Sequence, residues 1–306
     1  MKIALVAPGE MDIPTNGWGA LETVVWNQHV NLNKMGHETF IINENDTTNT
    51  YHKIIDINPD IVHLHYGKHW EMMPYLKCKK IITSHDGGFL YSQSFHKNLI
   101  KNFFQDCMFF ILTSWEKQLL LDNGINENNI KILPNGVDNS LFRVSDNPKF
   151  LNKSICLGKI DNRKRQAFLQ SLNCNIHFAG QNTIPEFNSL DDNYLGLWNR
   201  NDVYNNLTEY ASLILLSSSE LHPLVCLEAL ASGLGLVVSE AAAQNLDSSK
   251  LFISIIDQED IDNTEIVSST IIKNREACSR IDRRSITDYA KTFDWTEILK
   301  KYERYL

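Results

Sequence analysis

Short apolar runs rich in β-branched residues alternate along the chain with longer stretches of amphipathic helical spacing. This alternation is typical of parallel sheets whose crossover connections are helices. The pattern therefore predicts two such sheets, one in each half of the chain. The predicted strands span residues 2–7, 38–43, 61–66, 80–84, 109–113 and 130–133 in the first half, and 154–157, 176–179, 194–197, 212–216, 235–239 and 252–256 in the second.

Helices are predicted between the strands. The first spans 19–35 and is followed by Gly36, which suits a left-handed C-cap. The clearest helix of the second half spans 224–232. The last stretch, 285–306, has a helical pattern interrupted near 293–295, and its final turns are expected to cross back onto the first domain.

Turn-forming residues interrupt the apolar pattern at 135–148, where the sequence predicts an interdomain linker. A chain of 306 residues exceeds the size at which one hydrophobic core stops growing, which also favours two domains. The predicted division is an N-terminal Rossmann-like domain over 1–140, a C-terminal Rossmann-like domain over 150–288, and a closing helix over 289–306.

Composition limits the class of protein. An apolar share of 43% without any apolar run near the ~20 residues of a membrane span predicts a soluble protein. Six separate cysteines without a C-x-x-C pair indicate reduced thiols, so a cytoplasmic location is expected. A formal net charge of -8 argues against nucleic-acid binding and favours a small-molecule partner.

Two carboxylates flank the entrance of the helix predicted over 224–232. Glu220 lies in the loop after a predicted strand, and Glu228 lies inside the helix. Leu224 and Val225, at the helix start, would offer N–H groups and the positive end of the helix dipole to a phosphate, while carboxylates accept hydrogen bonds from sugar hydroxyls. On the residues alone, ordinary helix-start acids are an equal alternative.

Several short motifs follow one another along the chain. Glu220 and Glu228 stand in an E-x7-E spacing, and the second begins EALASG. The other segments are NGWGALE at 16–22, PDIVH at 59–63, TSHD at 83–86, ILPNGVD at 132–138 and FDW at 293–295. Together these motifs resemble those of the retaining GT-B glycosyltransferases of family 4, and the resemblance spans nearly the whole chain.

This resemblance implies an α/β fold of the GT-B type, with two doubly wound Rossmann-like domains facing a central cleft and the C-terminal helix crossing back to the first domain. It implies a hexosyltransferase-like enzyme that moves a sugar, with retention of configuration, from a UDP- or GDP-sugar to a hydroxyl of a glycan, lipid-linked or other acceptor. No metal ion or other cofactor is expected, because fixed positive charge would stabilise the leaving nucleoside diphosphate.

The resemblance assigns roles to the second-domain acids. Glu228 would bind the donor ribose hydroxyls, and Glu220 would hold a hydroxyl of the transferred sugar or act as its nucleophile. Front-face attack and double displacement through Glu220 both stay open at this point.

A basic loop at 156–166 resembles the family's diphosphate clamp. In this clamp Lys159 replaces the family's usual arginine, and Lys164 is the second cation. Arg163 is an alternative candidate for binding the diphosphate. Arg165 stands where the family usually has glycine. Without the family context, a solvated basic turn is the alternative.

The first domain supplies the remaining candidates. Gly17, Trp18 and Gly19 resemble the family's glycine loop, in which glycine lets the backbone approach the donor diphosphate. A dinucleotide-binding G-x-G-x-x-G fingerprint is disfavoured, because Glu22 replaces the third glycine and residues 8–16 separate the loop from its strand.

Histidines near two predicted strand ends carry further alternatives. By resemblance His85 would face the donor sugar, with Asp86 assisting the acceptor hydroxyl, although a lone histidine after a strand is more often structural. His63 and His65 fall on one face of a predicted strand and, with His69, could bind zinc, but no further ligand pattern follows.

Other functions stay open. A GT-B sugar-nucleotide epimerase would bind the same donor, and a non-catalytic sugar-nucleotide-binding protein is an alternative because 221–223 departs from the family pattern. The acidic D-x-D at 260–262 is expected to be solvated. Lysines and aromatics at 97–104 suit peripheral membrane contact or a core helix. Nucleobase, sugar, acceptor and oligomeric state are not encoded in any motif.

Overall fold

Parallel β-sheet is the framework of the computed structural model, which describes residues 1–15, 17–85, 104 and 106–306. The chain divides into two units, Met1–Asn135 with Trp295–Leu306, and Gly136–Asp294. Each unit holds one parallel sheet with helices in its crossover connections. The prediction of two Rossmann-like sheets is confirmed.

Most strands are apolar and buried, as parallel strands covered by helices on both faces require. In chain order they are β1 (Lys2–Ala7), β2 (Glu38–Asn43), β3 (Ile61–His65), β4 (Lys79–Thr83), β5 (Cys107–Ile111), β6 (Ile130–Ile132), β7 (Phe150–Leu157), β8 (Ile176–Ala179), β9 (Tyr210–Leu215), β10 (Gly235–Ser239) and β11 (Ile253–Ile256).

Polar caps mark the start of several helices. Asp46 and Asn263, for example, accept N–H hydrogen bonds from the first turns of the helices that follow them. The described α-helices are α1 (Ala20–Lys34), α2 (Thr47–Ile57), α3 (Ser114–Asp122), α4 (Gln166–Ser171), α5 (Arg200–Asn206), α6 (Leu224–Ala231), α7 (Thr264–Cys278), α8 (Arg283–Ala290) and α9 (Trp295–Tyr305).

The first unit holds a sheet in the order β2-β1-β3-β4-β5-β6. The order reverses between β1 and β3, because the chain extends the sheet through β2 and then returns to the other side of β1. Helix α9 belongs to this unit. Its Tyr302 is buried with the ring centroid 5.1 Å from that of Phe110, and Lys79 Nζ donates to the Leu306 carbonyl at 2.7 Å.

The second unit holds a sheet in the order β11-β10-β9-β7-β8. Here the order reverses between β7 and β9, since β8 extends one edge before the chain returns. Apolar side chains of β9, α6 and β10 share one core, represented by Leu213, Leu227 and Leu236. This core fixes the direction in which α6 starts.

The two segments by which the chain enters and leaves the second unit are hydrogen-bonded to each other. Val137 N donates to the Phe293 carbonyl at 2.9 Å, and Asn139 Nδ2 donates to Asp294 Oδ2 at 3.0 Å. The motifs at 132–138 and 293–295, far apart in sequence, therefore meet at Val137 and Phe293.

One predicted strand is wrong. Residues 194–197 form no strand, because Tyr194 makes only an isolated bridge to Phe178 and Gly196 turns the backbone with a φ of 74°. The other predicted strands are present. Those at 2–7, 38–43, 176–179 and 235–239 have the predicted bounds, and the rest have shifted ends. Gly36 follows α1 with a φ of 92°, as predicted for a left-handed C-cap.

The stretch 97–104, with its predicted membrane contact or core helix, lies outside the described residues except for Phe104, which is buried. Among the described helices, none combines the length and apolarity needed to span a membrane.

Candidate functional site

The loops after β7 and β9 leave the sheet of the second unit side by side, at the point where its strand order reverses. Ligands of open parallel sheets bind at such switch points, beyond the carboxyl ends of the strands. The two loops are joined directly, because Ser218 N donates to the Arg163 carbonyl at 2.9 Å. The predicted basic turn and the predicted acidic loop thus lie together.

Arg163 and Glu220 form an ion pair between these loops. Arg163 Nη1 donates to Glu220 Oε1 at 2.7 Å and to Ser217 Oγ at 3.0 Å, and it also contacts the Ser219 carbonyl. The Glu220 side chain is only 16% exposed. Arg163, a rival clamp residue in the sequence, therefore orients the carboxylate of Glu220.

Lys164 contributes a second cation to this loop. Its Nζ would lie 3.0 Å from a Cβ added to Gly158, so the ammonium sits against the glycine that follows β7. Burial lowers the pKa of Lys164, while the nearby Glu220 carboxylate opposes that shift. Among the described residues, the ammonium forms no ion pair.

The neighbouring basic side chains differ from Lys164. Lys159 is exposed, and its carbonyl accepts from Gln166 Nε2 at 2.9 Å. Arg165 adopts a left-handed backbone with a φ of 59°, which explains why glycine suits this position, and its guanidinium pairs with Asp262. That pairing accounts for one acid of the D-x-D at 260–262.

Glu228 has a partner that the sequence motifs did not reveal. Its carboxylate is buried, and Arg200 Nη2 lies 2.7 Å from Glu228 Oε1. Arg200 in turn stacks on the Tyr204 ring at 4.8 Å and donates from Nε to the Tyr204 hydroxyl at 3.2 Å. Burial alone would lower the pKa of Arg200, but the adjacent Glu228 carboxylate and the Tyr204 hydroxyl outweigh it and raise this pKa above its usual value.

The entrance of α6 is formed by Pro223, with Leu224 and Val225 half-buried in the first turn. His222 precedes it and is buried, its ring centroid 5.6 Å from that of Phe293. Burial lowers the pKa of His222 to about 4, so the imidazole is neutral near pH 7. The side chains at 221–223, which depart from the family pattern, are thus buried and contribute to packing.

In the first unit, the glycine loop after β1 leaves the sheet at the other switch point. A Cβ added to Gly17 would meet no described atom beyond its chain neighbours within 4 Å, whereas Gly19 has a φ of 137° and its added Cβ would meet Thr15 and Glu22. Trp18 between them is 55% exposed. Asn16, at the start of the motif, lies outside the described residues.

His85 follows β4 and contacts a second histidine at the end of β3. His85 Nε2 lies 3.1 Å from His65 Nδ1, and the rings are nearly parallel with centroids 5.4 Å apart. Burial lowers the pKa of His85 to about 4. Asp86, the proposed assistant, lies outside the described residues.

The zinc interpretation gains no support from geometry. His69 lies apart from the β3 histidines and contacts Thr47 Oγ1 at 3.0 Å and the Glu44 carbonyl at 2.9 Å. Over the described ranges, no group of three His, Cys, Asp or Glu side chains is arranged to hold a metal ion.

Comparison with known proteins identifies the fold class. No family model and no curated protein sequence matches the chain. Solved structures do match: the lipopolysaccharide outer core galactosyltransferase WaaB in its apo form, at 16% identity and a TM-score of 0.69, covers 100% of this chain and 99% of its own. AviGT4, a glycosyltransferase of avilamycin A biosynthesis, is 16% identical with a TM-score of 0.71 over 99% of this chain and 96% of its own.

HepE from Anabaena, solved with UDP and glucose, is 13% identical with a TM-score of 0.68, over 99% of this chain and 98% of its own. The fold is GT-B. The predicted fold class is confirmed by these full-length matches. In this GT-B chain, each unit carries one polar cluster at the carboxyl edge of its own sheet: Glu220 with Arg163 and Lys164 in the second, and His85 with His65 in the first.

Proposed function

We propose that the chain is a retaining glycosyltransferase of the family 4 type, which transfers a hexose-like sugar from a UDP- or GDP-sugar to a hydroxyl of a glycan or lipid-linked acceptor. The observation that carries this proposal is the cluster at the second switch point, where the Lys164 ammonium, which forms no ion pair within the described part of the chain, lies near a carboxylate fixed by Arg163. The glycosyltransferase fold supports it, and the HepE structure contains UDP and glucose.

The donor diphosphate is assigned to Lys164, Lys159 and the first turn of α6. A half-buried ammonium interacts more strongly with an anion than an exposed one, because the surrounding dielectric is lower. The N–H groups of Leu224 and Val225 and the helix dipole add to the same attraction. In this proposal no metal is required to stabilise the leaving group.

The donor nucleoside is assigned to Glu228. Arg200 holds Oε1 of this carboxylate, which leaves Oε2 to accept hydrogen bonds from the ribose hydroxyls. For the first unit, the family resemblance assigns Gly17, Trp18 and Gly19 to donor binding and His85 to the transferred sugar.

In the reaction we propose, the bond from the anomeric carbon to the phosphate oxygen breaks while the acceptor oxygen bonds to the same face of that carbon. The acceptor proton passes to the departing phosphate oxygen. Arg163 fixes one oxygen of Glu220, which favours a role in holding a sugar hydroxyl over that of a mobile nucleophile. Double displacement through Glu220 is the alternative mechanism.

A panel of UDP-, GDP- and ADP-sugars, incubated with the purified protein with and without EDTA, tests the activity. Sugar transfer or slow donor hydrolysis in EDTA supports a metal-independent transferase. An isomerised donor would identify an epimerase, and binding without turnover a sugar-nucleotide-binding protein. Melting temperatures measured with each nucleotide show which base is bound.

Variants test the residue assignments. Glu228→Gln should weaken donor binding, whereas Glu220→Gln and His85→Ala should mainly lower kcat. Glu127→Gln, at an exposed position of the first unit, is the control. Equal, small effects of all three site variants would contradict the assigned roles.

A further inference from the structure

Three imidazoles lie in contact in the first unit, at the carboxyl ends of β3 and β4. The ring centroids of His63 and His65 are 3.9 Å apart, and those of His65 and His85 are 5.4 Å apart. His63 is held on its other side, with Nε2 2.8 Å from Thr83 Oγ1 and Nδ1 3.4 Å from the Tyr302 hydroxyl. His65 therefore sits between an anchored ring and His85.

His65 is fully buried, and its only ring-nitrogen hydrogen bond among the described residues is the one to His85. Its Nε2 is also buried and has no hydrogen-bond partner in that part of the chain. Burial lowers the pKa of both His65 and His85, so both rings are neutral near pH 7. Each ring therefore carries one proton, and in the hydrogen bond between His65 Nδ1 and His85 Nε2 one nitrogen is the donor and the other the acceptor.

The unpartnered nitrogen decides which ring donates. If His85 Nε2 were the donor, His65 would carry its own proton on Nε2, as a buried N–H without an acceptor. Buried N–H groups without partners are rarer in proteins than acceptors with unused lone pairs. The favoured arrangement puts the proton on His65 Nδ1, which donates to His85 Nε2.

We propose that His65 is a positioning residue that fixes the ring of His85 and its tautomer, so that His85 carries its proton on Nδ1 and acts there as a hydrogen-bond donor. This inference rests on the proposed function for the use of that donor, since His85 is there assigned to the transferred sugar. A donor at Nδ1 matches a hydroxyl or ring oxygen that accepts a hydrogen bond, and it makes His85 a poor base toward the acceptor.

The tautomer can be observed directly in the full-length wild-type protein. Labelling histidine with ¹⁵N and recording long-range nitrogen–proton spectra at pH 7.5 distinguishes protonated from unprotonated ring nitrogens. The signals of His85 are identified by their loss in His85→Gln. We expect Nδ1 protonated and Nε2 unprotonated; the reverse assignment for His85 would overturn the proposal.

Two substitutions at His65 separate positioning from packing. His65→Leu fills the space without a hydrogen bond, so the spectrum should show a mixture of His85 tautomers and kcat for transfer should fall about tenfold, with the donor KM nearly unchanged. In His65→Asn the side-chain amide can donate from a place near Nδ1, so the single tautomer and most of kcat should return. An unchanged His85 spectrum in His65→Leu would contradict the inference.

These readouts distinguish two failures. If His85→Ala transfers sugar at the wild-type rate while the spectra are as expected, the catalytic assignment of His85 is wrong but the positioning by His65 holds. If the chain shows no transferase activity with any donor, the wild-type spectrum still decides the tautomer.

Discussion

At the residue scale, the ion pair of Arg200 and Glu228 shows how the side chain of a candidate binding residue is held in position. The Glu228 side chain is 9% exposed, and burying an isolated carboxylate would be costly without a partner. Arg200 supplies the opposite charge, and Tyr204 holds the guanidinium flat against its ring. The result is a carboxylate whose Oε1 is held in one orientation by Arg200.

Arg200→Met should therefore destabilise the second unit, because it leaves Glu228 buried and unpaired. Breaking a fully buried pair costs about 3–5 kcal/mol, and the partial exposure of Arg200 reduces this to about 2 kcal/mol. Urea unfolding measures the loss. The double variant Arg200→Met with Glu228→Gln should recover most of it, and a double variant as unstable as the sum of the single ones would show that the pair is not coupled.

The sequence predicted some of these residues and missed others for a physical reason. Glu220 and Glu228 lie close together along the chain, so their spacing could be recognised in the sequence. Arg163 was a candidate, but its pairing with Glu220, 57 residues away, depends on how two strands are placed side by side. Arg200 carried no motif, because it meets Glu228 only in the folded chain.

At the element scale, α3 begins with a buried acidic cap. Glu116 Oε2 accepts from Leu112 N at 2.9 Å and Thr113 N at 2.8 Å, while Oε1 is buried without a partner among the described residues. Burial raises the pKa of Glu116 to about 7, although the N–H bonds oppose the shift. The cap thus binds a proton more tightly in the folded than in the unfolded chain.

A raised pKa gives this cap a definite pH dependence. Its stabilising contribution is complete below the ordinary pKa of 4.5 and is lost as pH rises through about 7. Relative to Glu116→Gln, the wild type should lose on the order of 2 kcal/mol of unfolding free energy between pH 5 and 8. Urea unfolding at several pH values measures the difference.

Glu127→Gln is the matched control in this measurement. Glu127 is fully exposed and pairs with Lys117, so its pKa is lowered rather than raised. Its removal should leave the pH profile between 5 and 8 unchanged. A flat difference between wild type and Glu116→Gln would show that Glu116 is ionised throughout this range.

The turns after β7 and β8 depend on two glycines in contact. A Cβ on Gly180 would lie 1.9 Å from the Gly158 carbonyl oxygen, and the φ of Gly180 is 146°. Gly180→Ala should destabilise the chain by at least about 2 kcal/mol in urea unfolding and weaken donor binding, because it displaces the glycine beside Lys164. Gly17→Ala, where no described atom beyond the chain neighbours lies within 4 Å of the added carbon, should leave stability nearly unchanged. Equal stability of the two variants would contradict this close packing.

Elements were predicted best where burial decides them. The apolar strands β1 and β10 were predicted with the bounds they have in the structure, because a run buried on both faces has one stable conformation. At 194–197 the apolar pattern was misleading. Leu195 and Leu197 are exposed, so the alternation there reflects no packing.

At the scale of the whole molecule, each unit has its own sheet and core, and the first unit is completed by the last residues of the chain. Tyr302 of α9 is fully buried against Phe110 and His63. His37 Nε2 lies 2.8 Å from Glu303 Oε1 on the same helix. The first sheet therefore gains a buried surface that the first 135 residues do not supply.

Tyr302→Ala should loosen the first unit without loosening the second. Removing a large buried ring costs about 3 kcal/mol or more, which corresponds to a fall in amide protection of about 100-fold. In hydrogen exchange of the full-length chain, peptides covering β3 and β5 should lose this protection, whereas those covering β9 and β10 should keep theirs. Tyr75→Ala, at a side chain 69% exposed in the same unit, should change neither set. Equal loss in β9 and β10 would mean that the two cores unfold as one cooperative structure, because the damage at Tyr302 would then have reached the sheet of the other unit.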